Sequence, residues 1–234
     1  MNKEQIIKLH RDIVNSIDYD DLSYNENQGE WVTSISVMFK AASRYTESFK
    51  GANPFSIIES WTSKVYDYLI INKPISIKLN GNIITAVFNT SRKSDIESVI
   101  YHAAYICSLM DLFNFILDRK GIRNFDIGIG VYTAKTRKTN NQNIKMDMFF
   151  RSPDLKSILL SINANIDGVE RILISDCTQF NISEFSCYDD KKYSEVGVKR
   201  TLSLPQEDAY GYNLNLIDFS NWIDEQNKKN NNQE

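Results

Sequence analysis

The stretch Ile75 to Phe88, I-S-I-K-L-N-G-N-I-I-T-A-V-F, sets a cation, Lys78, three residues before Gly81 and a side-chain amide, Asn82, directly after it. A lysine on a strand is a point charge whose simplest role is to face water. Asn82 offers a neutral carbonyl where a carboxylate would offer charge, and it also suits a tight turn, because Gly and Asn tolerate positive φ. Elsewhere the chemistry-bearing residues are dispersed. His10 and His102 fall on separate predicted helices with no Cys or His at ligand spacing, so a core or surface role is expected of both. Lys135, Arg137 and Lys138 form a basic run that reads as a solvated loop or as a receptor for an anion. Asp18, Asp20 and Asp21 lack the spacing of a calcium loop.

The elements that position these residues follow from period and punctuation. Ile75, Ile77 and Leu79 alternate with polar neighbours and predict a strand with one buried face. Asn80-Gly81-Asn82 turns the chain, and Ile83, Ile84, Ala86, Val87 and Phe88 are apolar enough for a central return strand. Upstream, spacing predicts an amphipathic helix over residues 3–17, a linker to Glu30, and a strand from Trp31 to Phe39 with Ile35, Val37 and Phe39 opposite Ser34 and Ser36. Asn53-Pro54 is a helix start, and that helix runs to about Leu69. Ser94 is the expected cap of a second helix carrying Ile96, Val99, Ile100, Ala103, Cys107 and Met110, which runs to about Leu117 and ends at Gly121. Strands follow over Asp126–Thr133 and Ile144–Phe150, a short helix over Pro153–Ile162, and a strand over Arg171–Ser175. A late hairpin is read from Val196, Val198, Leu202 and Leu204, and Asn227–Glu234 reads as a polar, frayed tail.

The whole reads as one domain. Of 234 residues, 42% are hydrophobic, enough to build a core, and a net charge of −3 gives no reason to expect wholesale binding to nucleic-acid backbone. No apolar run reaches membrane-spanning length in this reading, and the N-terminus lacks the apolar heart of a signal peptide. Three cysteines, Cys107, Cys177 and Cys187, suggest reduced thiols and a cytoplasmic location. Strand, helix, hairpin, helix, strand is the order of an α+β sandwich. The expected organisation is an N-terminal helix and linker over 1–30, a domain over 31–226 ending in a hairpin and helix, and the tail from 227.

With that order in place, the opening hairpin resembles the K-x-x-G-D-x-x-x-A-x-F hairpin of class III nucleotidyl cyclases. Lys78, Gly81, Ala86 and Phe88 fit the pattern, and Asn82 stands at its aspartate. The chain is most similar in flavour to the bacterial pyrimidine cyclases of anti-phage (Pycsar) defence. Their V-x-F-x-D-I-x-x-x-T strand is matched by Val37, Phe39 and Thr46, with Ala41 at the aspartate, and Ile127 to Val131, I-G-I-G-V, fits a later strand. The resemblance covers roughly Trp31 to Ser175. It implies a class III cyclase-like, ferredoxin-like ββα-type sandwich with an N-terminal helix and a C-terminal extension. It also implies a head-to-tail dimer whose sites take metal ligands from one chain and an Asn and an Arg or Lys from the other. Those last two positions fall on Leu155 and Leu159.

Such a cyclase drives a 3′-hydroxyl onto an α-phosphate with two divalent metals held by carboxylates. Ala41 offers no oxygen to a hard cation and Asn82 only a neutral one. Losing one electrostatic stabiliser commonly costs about a hundredfold or more in rate. The resemblance therefore implies a catalytically inactive nucleotidyl cyclase-like protein with no catalytic residues and no metal or other cofactor. It would act as a nucleotide-binding module or as an assembly or regulatory subunit, a homodimer or the partner of a cyclase-like or effector protein. Lys40, Ser43, Arg44, Thr46 and Lys78 are the candidate ligand-binding residues. The alternative is an active cyclase using Mg2+ or Mn2+ on other ligands, with Asp126 or Asp147 as candidates.

Overall fold

The computed structural model describes residues 30–40, 54–136, 153–166, 170–182, 201–204 and 207–231. The expected N-terminal helix, the strand over Ile144–Phe150, Val196 and Val198 lie outside them, as do Ala41, Ser43, Arg44, Thr46 and Asp147. In chain order the elements are β1 (Glu30–Lys40), α1 (Pro54–Ile71), β2 (Ser76–Asn80), β3 (Ile83–Asn89), α2 (Lys93–Asp118) and β4 (Asp126–Thr136). After them come α3 (Pro153–Asn163), β5 (Ile172–Ser175), α4 (Asp176–Ile182), β6 (Thr201–Leu204), β7 (Glu207–Tyr212) and α5 (Ile217–Asn231). The strands form one sheet in the order β2-β3-β1-β4-β5-β7-β6.

β1 is the axis of that sheet. It runs antiparallel to both neighbours, with Ile35 opposite Ala86 on β3 and Val131 on β4. The order β2-β3-β1-β4, every pair antiparallel, is the ferredoxin-like half implied by the hairpin's resemblance. β4 then pairs with β5 in parallel. A parallel pair needs a crossover, usually helical, and α3 supplies it.

Alternation along β1 sends Ile35, Val37 and Phe39 to one face, where they join Trp61, Val65 and Leu69 of α1 and the α2 stripe in the main core. Phe39 is wedged between the rings of Trp61 and Phe125, with centroids 5.4 and 4.9 Å away. Asn114 fastens α2 to the start of β4 through both halves of its amide, donating to the Phe125 carbonyl at 2.8 Å and accepting its N–H at 2.9 Å. α2 ends as expected: Gly121 takes φ +65°, and the Ile122 N–H reaches the Leu117 carbonyl at 3.0 Å.

Several expectations need correction. α2 begins at Lys93, one residue ahead of the expected cap Ser94, because the Asp95 carboxylate accepts the Arg92 N–H at 2.9 Å. By length and composition α2 could cross a membrane, contrary to the reading that no run is long enough; half of its most apolar window is buried within the protein. Lys135 stands in β4 opposite Trp31, not in a loop, because cross-strand pairing carries the strand on to Thr136. α5 extends to Asn231, through residues expected to fray. The predicted buried face of β2 is largely bare, with Ile75 60% and Leu79 54% exposed. β2 is the strand at one edge of the sheet, with β3 its one neighbour among the described residues.

His102 is buried between α1 and α2, its Nδ1 2.8 Å from the Tyr68 hydroxyl, and burial lowers its pKa to about 4. This is a core histidine. Cys107 and Cys177 form no disulfide, and burial raises the Cys107 thiol to about 12, which leaves it inert.

Candidate functional site

The region singled out by the sequence lies where the β2–β3 turn meets the end of β1 and the helix α3. Gly81 takes φ +61°, the left-handed turn conformation that a glycine adopts without strain. Asn82 then closes the ladder against Phe39 twice. Its backbone carbonyl accepts the Phe39 N–H at 2.9 Å, and its side-chain Nδ2 donates to the Phe39 carbonyl at 2.7 Å. The second bond requires a side-chain donor, and an ionised aspartate at this position is an acceptor only.

Lys40 follows on β1, opposite Asp126. Its stem lies over Gly128, and its ammonium donates to the carbonyls of Ile162, at 3.1 Å, and of Ala164, at the C-terminal end of α3. A cation suits those carbonyls, which no helical N–H satisfies. Burial lowers the lysine's pKa, while Asp126 opposes that shift.

α3 rests on the face of the sheet opposite the main core, and glycines let it do so. A methyl group at Gly130 would lie 2.0 Å from the Ser157 carbonyl oxygen, and one at Gly128 would lie 2.2 Å from that of Ser161. The I-G-I-G strand is thus a bed cut for this helix. Ser157 sits at the centre of the contact. Its hydroxyl donates to the Asp154 carbonyl at 2.9 Å, leaving its lone pairs to Ser34 at 2.9 Å and Ser36 at 2.7 Å. Ser36 in turn meets Thr85 at 2.9 Å. All four of these side chains are buried.

The outward face of α3 carries Leu155 and Leu159, 42% and 51% exposed and one turn apart. Lys78 on β2 reaches Asp154 in the first turn of α3, with Nζ and Oδ2 3.0 Å apart, and so bridges the hairpin to the helix. The structure therefore brings Lys40, Lys78, Asn82, Leu155 and Leu159 around one helix, with both lysines engaged inside the chain. The resemblance implies a metal-binding face here. Asn82 is a weaker ligand there than a carboxylate, because its oxygen carries no charge, and its amide nitrogen is held by the Phe39 carbonyl. Among the described residues, no three His, Cys, Asp or Glu side chains gather in one place.

Sequence reasoning missed the hydroxyl cluster and the lysine cap on α3. Serines at alternate positions of β1, set against Ser157 and Ser161 on a helix, were the available signal for the first.

No protein-family model matches the chain. Among curated proteins it is 25% identical over 220 residues to a uridylate cyclase of Treponema porcinum, an alignment covering 87% of this chain and 71% of that protein. Among solved structures it matches the adenylyl cyclase CyaB from P. aeruginosa with a TM-score of 0.57 at 14% identity, covering 80% of this chain and 95% of the other. A bacterial light-regulated adenylyl cyclase gives 0.54 at 12% identity over 84% and 99%, and the guanylyl cyclase Cya2 gives 0.52 at 16% over 81% and 100%. At these identities the structural matches speak for the fold, and the fold is the one implied by the hairpin.

Proposed function

We propose, from the premise that this chain carries a class III nucleotidyl cyclase-like domain resembling the pyrimidine cyclases, that it has lost the chemistry and serves as a nucleotide-binding or assembly subunit. The observation that carries this reading is the Asn82 amide on the Phe39 carbonyl. That bond gives the residue a structural task that a charged metal ligand could not perform. Ala41 has no ligand atom by residue type, and Leu155 and Leu159 bring no charge or hydrogen bond to a transition state. The setting we propose is cytoplasmic anti-phage defence in a bacterium, with no metal cofactor.

A second reading is favoured by the name of the curated relative. In it the chain is an active nucleotidyl cyclase using Mg2+ or Mn2+ on other carboxylates, Asp126 and Asp147 being the candidates. Asp126 is exposed at the start of β4.

Incubating the full chain with ATP, GTP, CTP or UTP and Mg2+ or Mn2+ tests the two readings, with UTP the substrate of first interest. The expected outcome is no cyclic nucleotide above a protein-free control. Metal-dependent product, abolished by Asp126→Ala or Asp147→Ala, would establish the second reading. Calorimetric titration with the same nucleotides and with cyclic nucleotides then separates a binding module from an assembly subunit. In the binding module, metal-independent affinity should fall in Lys40→Ala, Arg44→Ala or Lys78→Ala, with Ser43 and Thr46 as the further contacts. In an assembly subunit, no heat is expected at millimolar ligand.

A further inference from the structure

α3 is inside out. A helix packed on a sheet ordinarily turns its apolar stripe inward and its polar side to water. Here the inward positions include Ser157, Ser161 and Ala164, each fully buried, with Leu160 the large apolar exception. The outward positions include Leu155, Leu159 and Ile162, the last 39% exposed, and their spacing of four residues and then three makes one stripe. Such a stripe amounts to a few hundred Å2 at most. That is well short of the roughly 800 Å2 that a separate protein buries on its side of a specific interface.

The chain also carries a segment with the complementary need. Ahead of β1, Ile6, Leu9, Ile13 and Ile17 recur in steps of three and four, so residues 3–17 have one apolar face as a helix. Glu4, Lys8, Arg11 and Asp12 fall on the other. An isolated helix of that length is marginal in water and depends on a surface to pack against. The mixed signs of its polar face do not suit a lipid surface, which selects a basic one.

We propose that residues 3–17 dock as a helix on the Leu155, Leu159 and Ile162 stripe of α3 in their own chain. The place where the segment joins the domain favours this face. It enters β1 at Glu30, and four residues on, Ser34 lies beneath α3 with its hydroxyl 2.9 Å from that of Ser157. Residues 18–29 span up to about 40 Å when extended. α3, 11 residues long, measures about 16 Å, so the tether reaches every turn of it in either direction. Tethering also removes the need for a large area. A linked segment meets its site at an effective concentration of about millimolar and gives up little freedom on docking. A stripe too small for a separate protein is then enough. The docked segment covers the outward face of α3, and an assembly partner seated there has to displace it. That consequence rests on the assembly reading, and the contact itself does not.

Trypsin acting on the native full chain tests the contact, because Lys8 and Arg11 lie within the segment and the next basic residue is Lys40. Cleavage after Lys8 and Arg11, read by mass spectrometry, is expected to be slow in the wild type. Leu159→Asp should speed it about tenfold or more, since docking loses roughly one buried apolar side chain. Leu79→Asp, on the opposite face of β2 from Lys78, should leave the rate unchanged. A disulfide checks the same contact without an added charge. In a Cys177→Ser, Cys187→Ser background, Leu9→Cys or Ile13→Cys combined with Leu159→Cys should cross-link within one chain at every protein concentration. Either one combined with Leu79→Cys should not. Equal cleavage of the wild type and Leu159→Asp would overturn the proposal. A cross-link that joins two chains, or protection that appears only with lipid vesicles, would do the same. Cyclic-nucleotide formation measured on the same samples keeps the two readings apart. Product from a protected chain would refute the loss of chemistry and leave this contact standing; an inactive chain cut equally in both forms would do the reverse.

Discussion

The two faces of the sheet are built on different chemistry, although one strand, β1, serves both. On the face of α1 and α2, Ile35, Val37 and Phe39 meet Trp61, Val65, Leu69 and the long α2 stripe in a dry, close-packed core. On the face of α3, Ser34 and Ser36 meet Ser157 through hydroxyls over a glycine bed. The first face holds the domain together by removing apolar area from water, about 25 cal/mol for each Å2. The second gains little from burial and depends on every hydroxyl having a partner. α3 is thus seated through hydroxyls and close backbone approach, with Leu155 and Leu159 left on its exposed side.

The comparison breaks hardest on the apolar face. Trp61 is 1% exposed under Phe39, and truncation to alanine removes a large side chain from packed surroundings. Trp61→Ala should cost about 3–5 kcal/mol, read as a lowered midpoint in urea unfolding. A loss below about 1 kcal/mol would mean that this face is not the main source of stability.

Acid tests the same face by a different route. The pKa of His102 stands at about 4 in the folded chain against the ordinary 6.5, because burial disfavours the charged ring. The unfolded state therefore binds more protons between those values, and stability falls as pH drops from about 6.5 towards 4. At about 1.36 kcal/mol per pH unit the full loss is on the order of 3 kcal/mol. Urea midpoints at pH 7 and pH 4.5 should differ in the wild type. They should differ less in His102→Gln, whose side chain does not titrate. The hydroxyls beneath α3 do not ionise in this range.

The smallest expected effect sharpens the comparison on the α3 face. Ser157→Ala leaves the hydroxyls of Ser34 and Ser36 short of a partner in a buried place, costing about 1–3 kcal/mol. Removing all three hydroxyls in Ser34→Ala, Ser36→Ala, Ser157→Ala should cost less than the sum of the single losses, because no orphaned group is left among them. Additive losses would mean that the three do not act as a unit.

Much of the fold was legible because its signals are local. The alternation in β1, the Asn-Gly-Asn turn, the α2 stripe and the glycine that ends α2 each depend on residues within a few positions of one another. The start of α2 was harder, since Ser94 reads as a cap while the N-cap is Arg92, whose N–H the Asp95 carboxylate accepts, and only hydrogen-bond geometry shows this. Of the candidate site, Lys78, Gly81 and Asn82 were visible as a pattern, and their partners were not. Lys40 caps a helix more than a hundred residues away, and Asp154 answers Lys78 from across the sheet.

By itself, the sequence determined which side chains share a face, where the chain turns, and that Ala41, Asn82, Leu155 and Leu159 carry no charge. Those are properties of residue type and of the two backbone periods. What covers each face was decided by the tertiary structure alone. Ser34 and Ser36 read only as the polar side of β1 and are buried beneath a helix, while Ile75 and Leu79 read as a buried side and stand bare. Periodicity divides a strand into two sides without saying which side meets a neighbour. That assignment is made by strand order and by the close approach that Gly128 and Gly130 permit, where contacts between distant parts of the chain outweigh local preference.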